Sequence, residues 1–255
     1  MPERKRNQTQ NMRSRLKNGA ARTQPSVMRG PGFFHWPTNS RLNTNSSAYP
    51  RETVFLDRDG VLIEDVHYLT RPGQIRILPG VAEVLKALKE RFYLVVVTNQ
   101  SGIARGLLTE DDLLDIHAEM ISRLWLCGAL IDGLYYCPHL PEASIPAYKM
   151  ECRCRKPGPG MLQQAAGDWG IDLSRSFMVG DMATDVEAAQ AAGVKDIIMR
   201  DSHTGQAGSW GAIRDLTEAV PLILSTATGS QGSPGNETAI TSIENPIKTF
   251  QSEVK

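Results

Sequence analysis

Between residues 51 and 224, short apolar runs alternate with longer stretches in which apolar residues recur three or four positions apart. No other feature limits the fold as much, because strands separated by amphipathic helices pair in parallel around a shared core. TVFLD (53–57) reads as a buried strand, and FYLVVVTN (92–99), crowded with β-branched residues, as a stronger one. SFMVGD (176–181), DIIM (196–199) and VPLIL (220–224) complete five expected strands. Helices fit the gaps. Val81, Val84, Leu85 and Leu88 mark one helical face after Pro79 and Gly80. Thr109 is placed to cap a helix whose first turn carries Glu110 and Asp111, where acids favour the helix dipole. Pro157 and Pro159 open a third helix, and ATDVEAAQAAG closes a fourth at Gly193. The expectation is one α/β domain built on a parallel sheet; the strand order is not legible.

Composition changes outside this region. The first fifty residues hold nine Lys and Arg against one acid, Glu3, with apolar residues scattered without period, so 1–50 is expected to be a disordered basic tail. The Ser-, Thr-, Gly- and Asn-rich end, 225–255, is expected to be a second flexible tail. The basic run lacks aromatic interleaving and any nucleic-acid reader motif, and the formal charge of +0 gives no global field toward nucleic acid. No apolar run approaches the about 18 to 20 residues that span a bilayer, and no secretory pattern opens the chain. A cytoplasmic monomer without nucleic-acid or membrane partners is expected.

Four polar clusters fall at or just beyond the carboxyl ends of expected strands, the edge where open α/β sheets bind ligands. They are Asp57-Arg58-Asp59-Gly60, Thr98-Asn99-Gln100-Ser101, Arg155-Lys156-Pro157, and Gly180-Asp181 with Asp185. Asp57 and Asp59 are two apart and are expected on one side, with Arg58 on the other. Carboxylates held together repel, which raises a pKa or demands a cation. With Asp181 added from a second strand end, Mg²⁺ is the economical solution, since it takes a few carboxylates and keeps waters that a phosphate can replace. Thr98 offers a hydroxyl and Lys156 a compact charge to a transferring group. Each motif alone has a plainer reading, as a turn, a Ca²⁺ loop or a helix start; their joint position at strand ends favours phosphoryl transfer.

The series FLDRDGVL, VVTNQSGIARG, CRCRKPGPGML and FMVGDMATDVEAAQAAG resembles the four signature motifs of the haloacid dehalogenase superfamily over most of residues 53–194. Within it, the chain most resembles the branch of heptose bisphosphate phosphatases, with the histidinol-phosphatase domain as near neighbour. The resemblance implies a doubly wound parallel sheet, no large cap domain, and an open site for a small phosphorylated sugar. It implies that Asp57 is the nucleophile and that Asp59 protonates the leaving oxygen, then activates water. It further implies Mg²⁺ on Asp57, Asp181 and the main-chain carbonyl of Asp59, with Asp185 supporting those ligands. Thr98, Arg155 and Lys156 would stabilise the phosphoryl group; Asn99, Gln100 and Ser101 would bind substrate, and Asp65 and Tyr68 in EDVHYLTRP are carried over as sugar contacts. Met182 departs from the Lys common at that position in relatives.

Cys137-Pro138-His139 and Cys152-Arg153-Cys154 set four zinc ligands in two tight pairs, matching Cys₃His coordination. A disulfide is the competing reading, disfavoured by the adjacent His139 and by two cysteines one residue apart. Four protein ligands leave no open position, so the zinc would be structural, pinning a loop with Pro141 and Pro146. Cys127, in LWLCGAL, is expected to be a buried thiol. A non-catalytic, zinc-stabilised binding module stands as the reading from another class.

Overall fold

Residues 52–194, 196–200 and 212–227 are described by a computed structural model. Both expected tails therefore lie outside the described residues, apart from 225–227. In chain order the elements are β1 (Thr53–Leu56), α1 (Val81–Lys89), β2 (Tyr93–Asn99), α2 (Glu110–Leu126), β3 (Gly133–Cys137), α3 (Gly160–Trp169), β4 (Phe177–Gly180), α4 (Ala183–Ala192), β5 (Asp196–Arg200), β6 (Ala212–Ile213) and α5 (Ala219–Ala227). The six strands are parallel in the order β3-β2-β1-β4-β5-β6.

Strand residues alternate between two cores, as a doubly wound sheet requires. Val54, Leu56, Leu94, Val96, Phe177 and Val179 point into one, packed with α1, α2 and α5. Phe55, Val95, Val97 and Met178 point into the other, against α3 and α4. Burying each such side chain contributes about 1.5 to 3 kcal/mol, so β1, with all four residues buried, is among the best-fixed parts of the sheet. Thr109 caps α2 as expected: its hydroxyl accepts from Asp112 N, and its own N–H donates to the Asp112 carboxylate.

Three expectations are corrected. VPLIL is not a strand but lies in α5. An apolar run of five does not separate strand from buried helix, and Pro221 is tolerated in a helix's first turn but would interrupt a sheet ladder. Ala219 and Ile223, four apart, are its buried positions. The sheet instead gains two strands that the sequence pattern did not mark. One is β3, whose Gly133 start and two tyrosines obscure it, and the other is the two-residue β6. Cys127 is exposed rather than buried, because it lies at the carboxyl end of α2, past the last turn that faces the core.

Candidate active site

The strand order reverses between β1 and β4, and the polar clusters gather at their carboxyl ends. Asp57 follows β1, its N–H donating to Val179 O at 3.0 Å. Asp181 follows β4, and Asp185 lies in the first turn of α4. Carboxylate oxygens of Asp57, Asp181 and Asp185 all lie within 4.8 Å of one another. Two glycines make this possible. A Cβ on Gly60, whose φ is +73°, would stand 2.1 Å from Asp181 Oδ2, and one on Gly180 would stand 2.4 Å from the Asp185 carboxylate.

Lys156 enters the cluster from the far side. Its Nζ lies 3.0 Å from Asp57 Oδ1 and 2.5 Å from Asp185 Oδ1, and it donates to Val97 O at 2.9 Å. The Lys156–Pro157 bond is cis. Burial pushes Asp57 up to about 7; Lys156 pulls it down, while Asp185, Asp59 and Asp181 push it further up. Burial, then Asp185, pushes Asp181 up to about 6. Burial alone would lower Lys156, but Asp185 and Asp57 more than offset it and hold the ammonium above its usual range. Three carboxylates thus face one ammonium, and a divalent cation suits the remaining charge. Asp185 has one oxygen on Lys156 and the other accepting from Met182 N, which leaves Asp57 and Asp181 as the freer donors.

Asp59 is placed differently from expectation. Arg58 does not point to the opposite side. Only 1% exposed, its guanidinium turns onto the neighbouring carboxylate, with Nε and Nη2 at 2.8 to 3.2 Å from both Asp59 oxygens. A buried guanidinium left unpaired would be costly, and the adjacent acid supplies its counter-charge. Gln100 Nε2 donates to Asp59 Oδ2 and to Thr98 Oγ1, so Gln100 ties the end of β2 to Asp59. Asn99 clasps Lys156: its Nδ2 donates to Lys156 O and its Oδ1 accepts from Lys156 N, both at 3.0 Å. Ser101 is half-buried beside them. Arg155, also half-buried, donates to His139 O at 3.4 Å.

Asp65 and Tyr68 lie on the loop after β1. Asp65 is exposed, accepts from His67 N, and adds to the negative charge that raises Asp181. His67 has a φ of 67°, uncommon for a side chain of that size. The Arg105 guanidinium lies 5.8 Å from the centre of the Tyr68 ring. A cavity of about 330 Å³ lined by Val61, Leu78, Gly80 and Leu216 holds none of these groups, so the chemistry rather than the volume marks the site.

The Cys/His group converges as the spacing suggested. Sγ–Sγ separations among Cys137, Cys152 and Cys154 are 3.1 to 3.5 Å, and His139 Nδ1 lies 3.6 Å from Cys137 and 3.3 Å from Cys154. A disulfide needs about 2.05 Å, whereas tetrahedral zinc with Zn–S near 2.3 Å sets sulfurs about 3.7 Å apart. Hydrogen bonding from Cys137 draws Cys154 down to about 5, while that same bond and burial push Cys137 up. The site thus favours a thiolate, and the donor set fits zinc. Tyr148 of the loop and Tyr136 of β3 both donate to Glu110, at 2.9 Å each, which fastens the loop to the start of α2.

Sequence reasoning missed Lys156 as the ion-pair partner of Asp57 and Asp185, and His117, which meets Arg58. These contacts join residues 59 apart (Arg58 and His117) or lie on different strands, and no local pattern encodes them.

A family profile described as HAD-hydrolase-like matches residues 153–210. The chain is 45% identical over 150 residues, 58% of its own length and 83% of the relative's, to a D-glycero-β-D-manno-heptose-1,7-bisphosphate 7-phosphatase of Rhodopseudomonas palustris. It is 38% identical over 174 residues, 67% of its length and 92% of the relative's, to a D-glycero-α-D-manno-heptose-1,7-bisphosphate 7-phosphatase of Burkholderia mallei. Among solved structures, the D,D-heptose 1,7-bisphosphate phosphatase of B. bronchiseptica, complexed with magnesium and phosphate, superposes with a TM-score of 0.61 at 30% identity, over 69% of this chain and 99% of that one. The chain belongs to the haloacid dehalogenase-like phosphatases, and it is a phosphoric monoester hydrolase of that family. The relatives that it matches over most of their length are heptose bisphosphate phosphatases.

Proposed function

We propose that this enzyme removes the 7-phosphate from a D-glycero-D-manno-heptose 1,7-bisphosphate through an aspartyl-phosphate formed on Asp57. The observation that carries the reading is the meeting of Asp57, Asp181 and Asp185 within 4.8 Å, with Lys156 held on Asp57. An Asp57 oxygen attacks phosphorus as the bond to the sugar oxygen breaks, and Asp59 supplies the proton that the leaving alkoxide takes. Asp59 then accepts a proton from water as that water's oxygen attacks phosphorus, and the bond to Asp57 breaks. Lys156 and Thr98 hold the phosphoryl oxygens, and Asp65, Tyr68, Ser101 and Arg155 line the sugar side. Magnesium held by Asp57, Asp181 and the Asp59 main-chain carbonyl would offset the repulsion between carboxylate and phosphate. Zinc on Cys137, His139, Cys152 and Cys154 would be structural, and the reading places the enzyme in the cytoplasm, where such thiols stay reduced.

Phosphate release at fixed Mg²⁺ from both heptose 1,7-bisphosphate anomers, hexose phosphates and histidinol phosphate tests the substrate. A heptose bisphosphate should lead by about tenfold or more in kcat/KM, with ³¹P NMR showing the 1-phosphate retained. Preference for histidinol phosphate would overturn the choice.

The raised carboxyls predict how Mg²⁺ binding depends on pH. Asp57 and Asp181 titrate higher folded, at about 7 and about 6, than at their usual 3.8. Their contribution to metal-free stability is therefore complete below the unfolded value and is lost as pH rises through 6 to 7. A cation must displace those protons. The rise in melting temperature on adding Mg²⁺ should be small at pH 5 and largest near pH 8, and an equal rise at both would contradict the assignment.

A further inference from the structure

Arg58 carries donors only, so the contact of its Nη1 with His117 Nε2, at 3.0 Å, makes that nitrogen an acceptor. His117 is therefore neutral, with its proton on Nδ1. Burial first, and Arg58 second, hold its pKa well below the ordinary 6.5. It sits on the buried face of α2 among Leu113, Ile116 and Met120, where an apolar side chain would satisfy packing alone. The rest of the Arg58 guanidinium grips Asp59 through both oxygens, and Gln100 donates to Asp59 Oδ2. A guanidinium attached only to its own neighbour could pivot with it. Held on a third edge by α2, it gives the Asp59 carboxylate one resting place between β1 and β2.

We propose that His117 and Arg58 are positioning residues: through them α2 sets where Asp59 stands for proton transfer to the leaving group. The inference rests on the phosphatase reading. If the pair only neutralised a buried charge, its loss would lower stability and slow every substrate alike. If it positions the proton donor, the loss will fall on substrates that need the proton. A sugar alkoxide needs it; p-nitrophenolate, a good leaving group, does not.

The test compares kcat/KM of full-length wild type, His117→Leu, His117→Gln and Arg58→Lys at fixed Mg²⁺, each below its own melting temperature. The substrates are the sugar phosphate that wild type hydrolyses fastest and p-nitrophenyl phosphate. With His117→Leu and Arg58→Lys the sugar phosphate should fall about tenfold, mainly in kcat, and p-nitrophenyl phosphate less than about twofold. His117→Gln, whose amide oxygen still accepts from Arg58, should recover most of the loss. Equal losses on both substrates, no loss on either, or no recovery with Gln would overturn the inference. Should His117→Leu not fold, Arg58→Lys still decides the matter. Wild type inert toward every phosphate ester would instead sink the phosphatase reading beneath it.

Discussion

Asp57→Asn should abolish phosphate release, lowering kcat by at least about a thousandfold, without unfolding the enzyme. The amide keeps the shape of the carboxyl but cannot attack phosphorus. The stability prediction follows from the same carboxyl. In the metal-free protein Asp57 titrates at about 7, raised chiefly by burial. Its folded value lies above the unfolded one, so its ionisation opposes folding once pH passes through that value. At pH 8 and without Mg²⁺ the variant should melt no lower than wild type, because one of three crowded charges is gone while Lys156 keeps Asp185. Added Mg²⁺ should raise its melting temperature less than that of wild type. Retained phosphatase activity in a folded Asp57→Asn enzyme would refute Asp57 as nucleophile. Loss of activity together with a large fall in melting temperature would mean that Asp57 serves structure.

Why the nucleophile's position could be read before its surroundings is a matter of range. Strands β1, β2 and β4 announce themselves by apolar runs that end in polar residues, and each cluster at their ends is local in sequence. The parallel arrangement and the strand-end location follow from that. Sheet order does not, since β3 and β6 lack a clear run and the apolar 220–224 segment belongs to α5. Side-chain partners across the site were also out of reach. Asn99 looked like a substrate contact, but its amide is spent on both main-chain polar groups of Lys156. Gln100 is similarly committed to Asp59 and Thr98. Alternation placed Arg58 opposite Asp59, but the strand has already ended at Leu56, so period-two geometry no longer applies. The cysteine group was legible because its two pairs are short-range and its chemistry admits few alternatives.

Removing metal from that group should destabilise the protein strongly while leaving chemistry per folded molecule nearly intact. Cys137 and Cys152 are 15 residues apart, and clipping a loop of that length is worth about 3 kcal/mol by chain entropy. For a domain of this size, that corresponds to a melting temperature lower by about 10 °C. The loop has little else to order it: Leu140 and Ala143 pack on Ala104 with Tyr148, and Tyr148 reaches Glu110. Lys156, two residues past Cys154, has independent anchors in the Asn99 clasp and in Val97 O. The ammonium should therefore stay on Asp57 when the metal leaves. Metal analysis should find one zinc per chain, and chelation or Cys137→Ser should produce the thermal loss. The turnover of the remaining folded enzyme at 25 °C, assayed with Mg²⁺ restored, should change less than about threefold. Unchanged melting after verified zinc loss would show that the loop orders itself. A collapse of turnover with melting preserved would instead give the zinc a direct hold on Lys156, against the anchoring seen at Asn99.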